Sequence, residues 1–222
     1  AYQLKRAVRY DFMDLGDQAK RDAAAVAEVR LNRRTAPDMY LGLTPVYADG
    51  NGFRLGALST DGDLDPAAIA HLIVMRRFTD GAGLHELAAA DRLTPAHVDQ
   101  LADAVARFHN AAPPLAVENA SAKLGAVSSR TMDAVREGAA LVGADVAGRL
   151  DAAMTAALAR SADLIDARGA AGAIRRLHGA PHLGTAAPPN GPPLLLDALE
   201  FAHPHAPVDL PHQVALVALA PV

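Results

Sequence analysis

The chain has 222 residues, 51% of them hydrophobic and 21% charged, enough to bury a sizeable core as one large domain or two small ones, which excludes disorder, collagen and miniature scaffolds. Its 21 Lys and Arg stand against 25 Asp and Glu, a net charge of −4, so no general attraction draws it to nucleic acid or to an anionic membrane. Cysteine is absent, which excludes disulfides, thiolate zinc sites and cysteine nucleophiles and suits a reducing compartment.

In chain order, Tyr2, Leu4, Val8 and Tyr10 recur at even spacing among cationic residues and predict a strand or extended arm over residues 1–12. Residues 17–34 read as a helix with an apolar side of alanines, Val26, Val29 and Leu31, ended by Pro37-Asp38. Strand signals follow at 41–47, 53–58 and 71–78, separated by the turn sequences Asp49-Gly50-Asn51-Gly52 and Asp61-Gly62-Asp63. After Gly81-Ala82-Gly83 the texture becomes helical. Thr94 caps a helix with Pro95 at its first position, and Val98, Leu101, Val105 and Phe108 repeat at three or four residues.

Residues 130–141 and 144–167 continue as amphipathic helices, with Gly143 and Gly169 as breaks. A short strand is predicted at 174–177, a loop at 178–185, a turn at Asn190-Gly191 and a strand at 194–197. With 51 alanines and no tryptophan, the core should be broad and modestly packed, its helices meeting closely. The start, Ala1-Tyr2-Gln3-Leu4-Lys5-Arg6, lacks the apolar core of a signal peptide. The apolar run from Val214 to Val222 is shorter than the roughly 20 residues that cross a bilayer. The expectation is a soluble, cytoplasmic protein with no nucleic-acid or membrane partner.

A small sheet with one helix, a connector, a helical body and then two short strands flanking a histidine-glycine loop is an order of parts shared by many mixed proteins. The loop is more specific. His178-Gly179-Ala180-Pro181-His182-Leu183-Gly184-Thr185, followed by Leu195-Leu196-Asp197-Ala198-Leu199-Glu200-Phe201, resembles the active-site signature of the aminoglycoside phosphotransferase family, H-G-D-x-H-x-G-N and then D-x-x-E-F. The branch it resembles is one of bacterial proteins in which such a domain often precedes a P-loop ATPase domain. Segments 27–34 with Ala36-Pro37-Asp38, Val74-Met75-Arg76-Arg77-Phe78, and Leu93-Thr94-Pro95 through Phe108-His109 extend the resemblance over nearly the whole chain. It implies an α+β, bilobed protein-kinase-like fold, with a truncated small sheet lobe at 1–80 and a mainly helical lobe at 81–222.

The resemblance also assigns roles, and phosphoryl transfer says what each requires. The loop carboxylate that accepts the hydroxyl proton falls at Ala180, whose methyl group can do no such work. The loop asparagine that binds magnesium falls at Thr185, a poorer ligand. The strand-end metal ligand is kept as Asp197, with Glu200 after it. The lysine that pairs with ATP phosphates falls on the first strand, at Gln3 or Lys5 depending on register, with Glu28 as its partner. Residue 1 lies at that lysine strand, so the strand-turn-strand cover of the phosphates is expected to be missing.

His178, His182, His203, His205 and His212 cluster late in the chain near Asp197, Glu200 and Asp209, a donor set that suits zinc, copper or nickel. Their spacing matches no metal motif, and loop-framework histidines beside exposed ones are the favoured reading. Arg30, Arg33, Arg34, Arg76 and Arg77 read as solvated faces, and no G-x-x-x-x-G-K-[ST] occurs. The uncharged run from Val214 to Val222 must be covered and hints at a protein partner. The expected function is therefore a catalytically degenerate scaffold acting as a binding, assembly or accessory protein, with no cofactor. The alternative is an ATP- and Mg-dependent small-molecule kinase using Lys5, Glu28, Asp197 and Thr185.

Overall fold

The computed structural model describes residues 1–10, 13–77, 81–187 and 193–199, and the backbone of Val208–Asp209. The chain is α+β and divides into two compact units, one made of residues 1–112 and 177–222, the other of 113–176. This division falls elsewhere in the chain than the expected lobe boundary near residue 80.

In the first unit, β1 (Tyr2–Leu4), β4 (Tyr40–Asp49), β5 (Gly52–Leu55) and β6 (Ala70–Met75) form an antiparallel sheet in the order β1-β6-β4-β5. The predicted arm is interrupted after Leu4, and β2 (Arg9–Tyr10) folds back on β3 (Met13–Asp14). Helix α1 (Gln18–Asn32) starts where Asp17 accepts the Lys20 amide and packs on β4 and β6.

Strand period two sorts the side chains. Gln3 lies opposite Ile73 and Leu43 opposite Ile73, on the face that meets α1, while Tyr2 and Leu4 lie on the other face and are exposed. Ala25, Val29, Met39, Tyr40, Leu43 and Ile73 fill the interface.

The sheet carries an irregularity between Tyr40 and Gly42. Gly42 has φ +150°, and a Cβ there would sit 2.1 Å from the Ser59 carbonyl oxygen, so only glycine allows this approach. Arg33 donates to the carbonyls of Tyr40, Leu41 and Thr60 around it. That arginine, expected on a solvated face, holds the distorted backbone instead.

Helices α2 (Leu84–Ala89) and α3 (Pro95–Ala111) follow, the latter capped by Thr94 with Pro95 at its first position as its sequence predicts. Leu84, Leu87, Leu101, Val105, Phe108 and Ala112 form a second cluster with Leu177, Ala186 and Leu195. The short strands β9 (Ala186–Ala187) and β10 (Leu194–Leu195) pair here. Leu195 points into this cluster, while its neighbours Leu194 and Leu196 pack against the sheet-helix core. One extended segment thus serves two cores by alternation.

In the second unit, β7 (Pro114–Leu115) pairs with β8 (Ile174–Arg175), and the helices are α4 (Ala120–Glu137), α5 (Ala139–Val142) and α6 (Ala144–Ala170). Helix α4 begins ten residues before the predicted 130, because the alanines, Lys123 and Leu124 between 120 and 129 have good helix propensity but the stretch has weak apolar periodicity. Its start is tied to α6 by Asp166, which accepts from the Ser121 amide and hydroxyl, both at 2.8 Å. A Cβ on Gly169 would lie 2.5 Å from the Val117 carbonyl oxygen, the close approach expected of small residues. Leu141, Leu164 and Val142 remain exposed.

The buried face of α1 includes three polar side chains, Asp22, Glu28 and Asn32. Asn32 is 0% exposed, donates to the Glu28 carbonyl at 3.0 Å and accepts from the Ala198 amide at 2.9 Å. Replacing it with leucine strands the Ala198 N–H in the interior, so Asn32→Leu should lower unfolding free energy by about 1–3 kcal/mol. Urea denaturation measures this, and an unchanged midpoint would show that the bond contributes nothing.

Candidate functional site

The site is built around the end of β10 and the loop at 178–185. His178 is fully buried, and its Nε2 lies 2.7 Å from the Leu196 carbonyl oxygen. A carbonyl only accepts, so Nε2 carries the proton. The Leu199 amide donates to the His178 carbonyl. Gly179 has φ +95°, and a Cβ there would press on Leu199 at 3.0 Å, which explains the His-Gly pair: the left-handed turn and the contact both require glycine.

The rest of the loop bonds to itself. The His182 amide donates to Thr185 Oγ1 at 3.0 Å, and that hydroxyl donates back to the His182 carbonyl at 3.0 Å. His182 Nδ1 accepts from the Gly184 amide. Thr185 is buried in a short 3-10 turn, Leu183–Thr185, and its carbonyl takes the Leu196 amide at 2.7 Å. Ala180, half-buried, brings only a methyl group.

Asp197 follows β10, which ends two residues before the predicted strand does because Asp197 turns to φ +61°. That left-handed conformation is uncommon outside glycine, and aspartate is among the few other residues that adopt it. It is held from both sides: the Asp197 amide donates to the Tyr40 hydroxyl at 3.2 Å, and the next amide reaches Asn32. Thr35 Oγ1 donates to the Leu195 carbonyl at 2.6 Å. The Asp197 residue itself is exposed. Backbone fixed and carboxylate outside is the arrangement a ligand to a hard cation needs.

On the other side of α1, Lys5 Nζ pairs with Glu28 Oε2, their side chains 12% and 1% exposed. Gln3 Nε2 lies 3.4 Å from the same oxygen. Gln3 in β1 and Lys5 just past its end both reach Glu28, so the two registers left open by the sequence converge on one carboxylate. Lower on α1, Asp22 Oδ1 lies 3.0 Å from His71 Nδ1, while His71 Nε2 accepts the Asp65 amide. That histidine ties α1 to β6 and the loop before it.

The sequence-based candidates thus fall into two groups. Lys5 and Glu28 meet directly, and Asp197, Thr185, His178 and His182 share the loop and strand end. Asn32 links them: it sits one helical turn beyond Glu28 and bonds the residue after Asp197. Asn32 and Tyr40 were missed as site residues. Their only sequence signal was an amide and a phenol beside the apolar side of a helix and the start of a strand.

Glu200, His203, His205, His212 and the run from Val214 to Val222 lie outside the described residues, and Asp209 is described by backbone alone. Among the described residues, no group of three or more His, Cys, Asp or Glu could hold a metal ion. For magnesium, the donors at hand are the exposed Asp197 carboxylate and a Thr185 hydroxyl already engaged by the loop. A hard cation there would rest on Asp197 and water.

Over 130 residues the chain is 29% identical to the uncharacterized protein Rv2004c of Mycobacterium tuberculosis H37Rv and, equally, to the uncharacterized protein Mb2027c of Mycobacterium bovis. The matched stretch covers 59% of this chain and 23% of each relative. No family model matches the chain, and no solved structure matches it significantly. No described helix is long and apolar enough to cross a membrane.

Two outcomes follow from this geometry. A buried pair is costly to break because one charge is left without its partner, so Lys5→Met alone should destabilise the protein by about 3–5 kcal/mol and the double change Lys5→Met/Glu28→Leu by much less. Denaturation of the single and double variants gives the coupling.

The second concerns pH. Burial pushes the His178 pKa below its ordinary value, opposed in part by the Leu196 carbonyl and by the Asp197 charge. The unfolded chain therefore binds this proton more readily than the native one. The stability contribution is complete above about pH 6.5 and declines as pH falls from there toward the depressed native value. Between about pH 7.5 and 5.5 the wild type should lose more stability than His178→Gln, read from unfolding midpoints at each pH.

Proposed function

We propose that this protein is a catalytically degenerate, aminoglycoside-phosphotransferase-like scaffold that works by binding another protein as an accessory or assembly component. The observation that carries this reading is the loop at 178–185. His178 is buried against Leu196, Thr185 and His182 close on each other, and Ala180 offers no proton acceptor. Loss of a general base typically costs about 10²–10⁴-fold in rate, and here the second metal ligand is also engaged by the loop. The partner contact is assigned to the apolar run from Val214 to Val222 on the strength of its sequence.

A second reading is favoured by a specific pair of features. The buried Lys5–Glu28 ion pair and the exposed, conformationally fixed Asp197 are what an ATP- and Mg-dependent phosphotransferase acting on a small-molecule hydroxyl would use. In such an enzyme Lys5 would meet phosphate oxygens and Asp197 the metal, which supplies charge neutralisation at the transferred group. A lysine held by a buried glutamate stays extended and oriented, so its charge is delivered at one place.

The two readings separate on nucleotide. The scaffold predicts no conversion of Mg-ATP by the purified chain above a protein-free control. Turnover that disappears in Asp197→Asn would overturn it. The kinase reading predicts that Mg-ATP raises Tm and that Asp197→Asn abolishes the rise, and an unchanged Tm at millimolar Mg-ATP defeats it.

A further inference from the structure

The sheet of β1, β4, β5 and β6 packs α1 on one face. Its other face is set by strand register. Tyr2 lies opposite Val74 and Leu4 opposite Leu72 on one side of β6, while on the other side Ala70 lies opposite Val46, itself opposite Leu55. Side chains two apart along a strand share a face. These residues and Phe53 therefore project together, away from Ile73 and the sheet-helix core.

This second face is apolar and open. Tyr2, Leu4, Leu55 and Phe53 are 63%, 55%, 45% and 77% exposed. Among the described residues of the four strands, none that projects from it is charged. Arg54 alternates to the opposite face, where its guanidinium carbon lies 4.4 Å from the Tyr47 ring centroid. The Thr44 hydroxyl, within the apolar face, donates to the Gly56 carbonyl at 2.9 Å. At roughly 200 Å² for an aromatic side chain, Tyr2 and Phe53 alone leave about 280 Å² in water, and the aliphatic residues between them bring the face to about 500 Å². A contiguous apolar patch of that size marks an interaction surface.

Its area and the charges at its ends specify the occupant. The patch runs obliquely across the sheet, from Tyr2 beside the end of β6 to Phe53 beside the turn between β4 and β5. At the first end the exposed Arg76 follows β6, steadied by the bond from its Nε to the Asp38 carbonyl at 3.2 Å. At the second the exposed Asp49 stands opposite Gly52. A two-fold axis through the middle of the patch lays each end over the opposite end of a copy. Arg76 then meets Asp49 at two places, and uncharged surface meets uncharged surface between them. Two such faces bury about 1,000 Å² together, which reaches the lower limit for a specific contact.

We propose that this sheet face is the surface on which two copies of the chain associate, forming an isologous dimer with Tyr2 of one copy over Phe53 of the other. The inference depends neither on the loop at 178–185 nor on the run from Val214 to Val222.

Sedimentation equilibrium of the full chain should show monomer and dimer exchanging with a Kd in the micromolar range, as a contact of this size implies. Phe53→Lys puts a charge into the face and should weaken association by at least about tenfold. Leu141→Lys, at an exposed leucine of the second unit, should leave it unchanged. Arg76→Asp and Asp49→Arg should each weaken association by about five- to tenfold, since like charges then meet at two places, and the double variant should restore it. A chain that stays monomeric at millimolar concentration, a dimer indifferent to Phe53→Lys, or a double charge variant no better than either single one overturns the proposal.

Hydroxyl-radical footprinting of the wild type guards against variants that misfold. Protection of Tyr2 and Phe53 should rise with protein concentration in step with the dimer. Protection that is the same at every concentration, the outcome if another part of the same chain lies over the face, overturns the proposal, and so does protection that never appears.

Discussion

Everything in the first unit depends on the polar face of one helix. Buried polar groups are tolerated only when each finds a partner, and α1 presents three of them to the interior. Asp22 meets His71 on β6, Glu28 meets Lys5 just past β1, and Asn32 meets the Ala198 amide beyond β10. Because these partners come from three parts of the chain, satisfying them together fixes where the sheet, the lysine and the aspartate stand. An ordinary amphipathic helix slides on its apolar side with little penalty. This one cannot shift without leaving a charge or an amide stranded.

Strand β10 is the complement of that helix. Its alternating leucines divide between two hydrophobic clusters, and its carbonyl and amide groups bond Thr35 and the Thr185 segment. The strand ends where those obligations end, and Asp197 turns left-handed under the hold of Tyr40 and Asn32. Order is thus concentrated on the backbone around the carboxylate, leaving the carboxylate itself exposed. The loop before it is the reverse case, with its polar side chains turned onto the protein's own backbone. A fixed backbone beside a loop bonded to itself is the contrast on which the proposed binding role rests.

The second unit rests on different physics. Its helices approach through alanine and glycine, as at Gly169 against Ala120, and one carboxylate, Asp166, caps the neighbouring helix. Few of its side chains are deeply buried, and several leucines and valines stay exposed. Such contacts bring backbones close but remove little apolar area per residue.

The sequence by itself determined the α+β composition, helix α1, the capped helix α3 and strands β4, β5 and β6, because caps, turns and apolar periodicity are local signals. Lys5, Glu28 and Asp197 were singled out only through the family resemblance. Only the tertiary structure decided that Gln3 and Lys5 share one carboxylate, that Arg33 braces a distorted strand, and that Asn32 and Tyr40 hold the backbone at Asp197. Those roles join residues as many as 166 positions apart. A side chain's local context says whether it is polar or apolar; which distant amide it must satisfy depends on where the folded chain brings that amide.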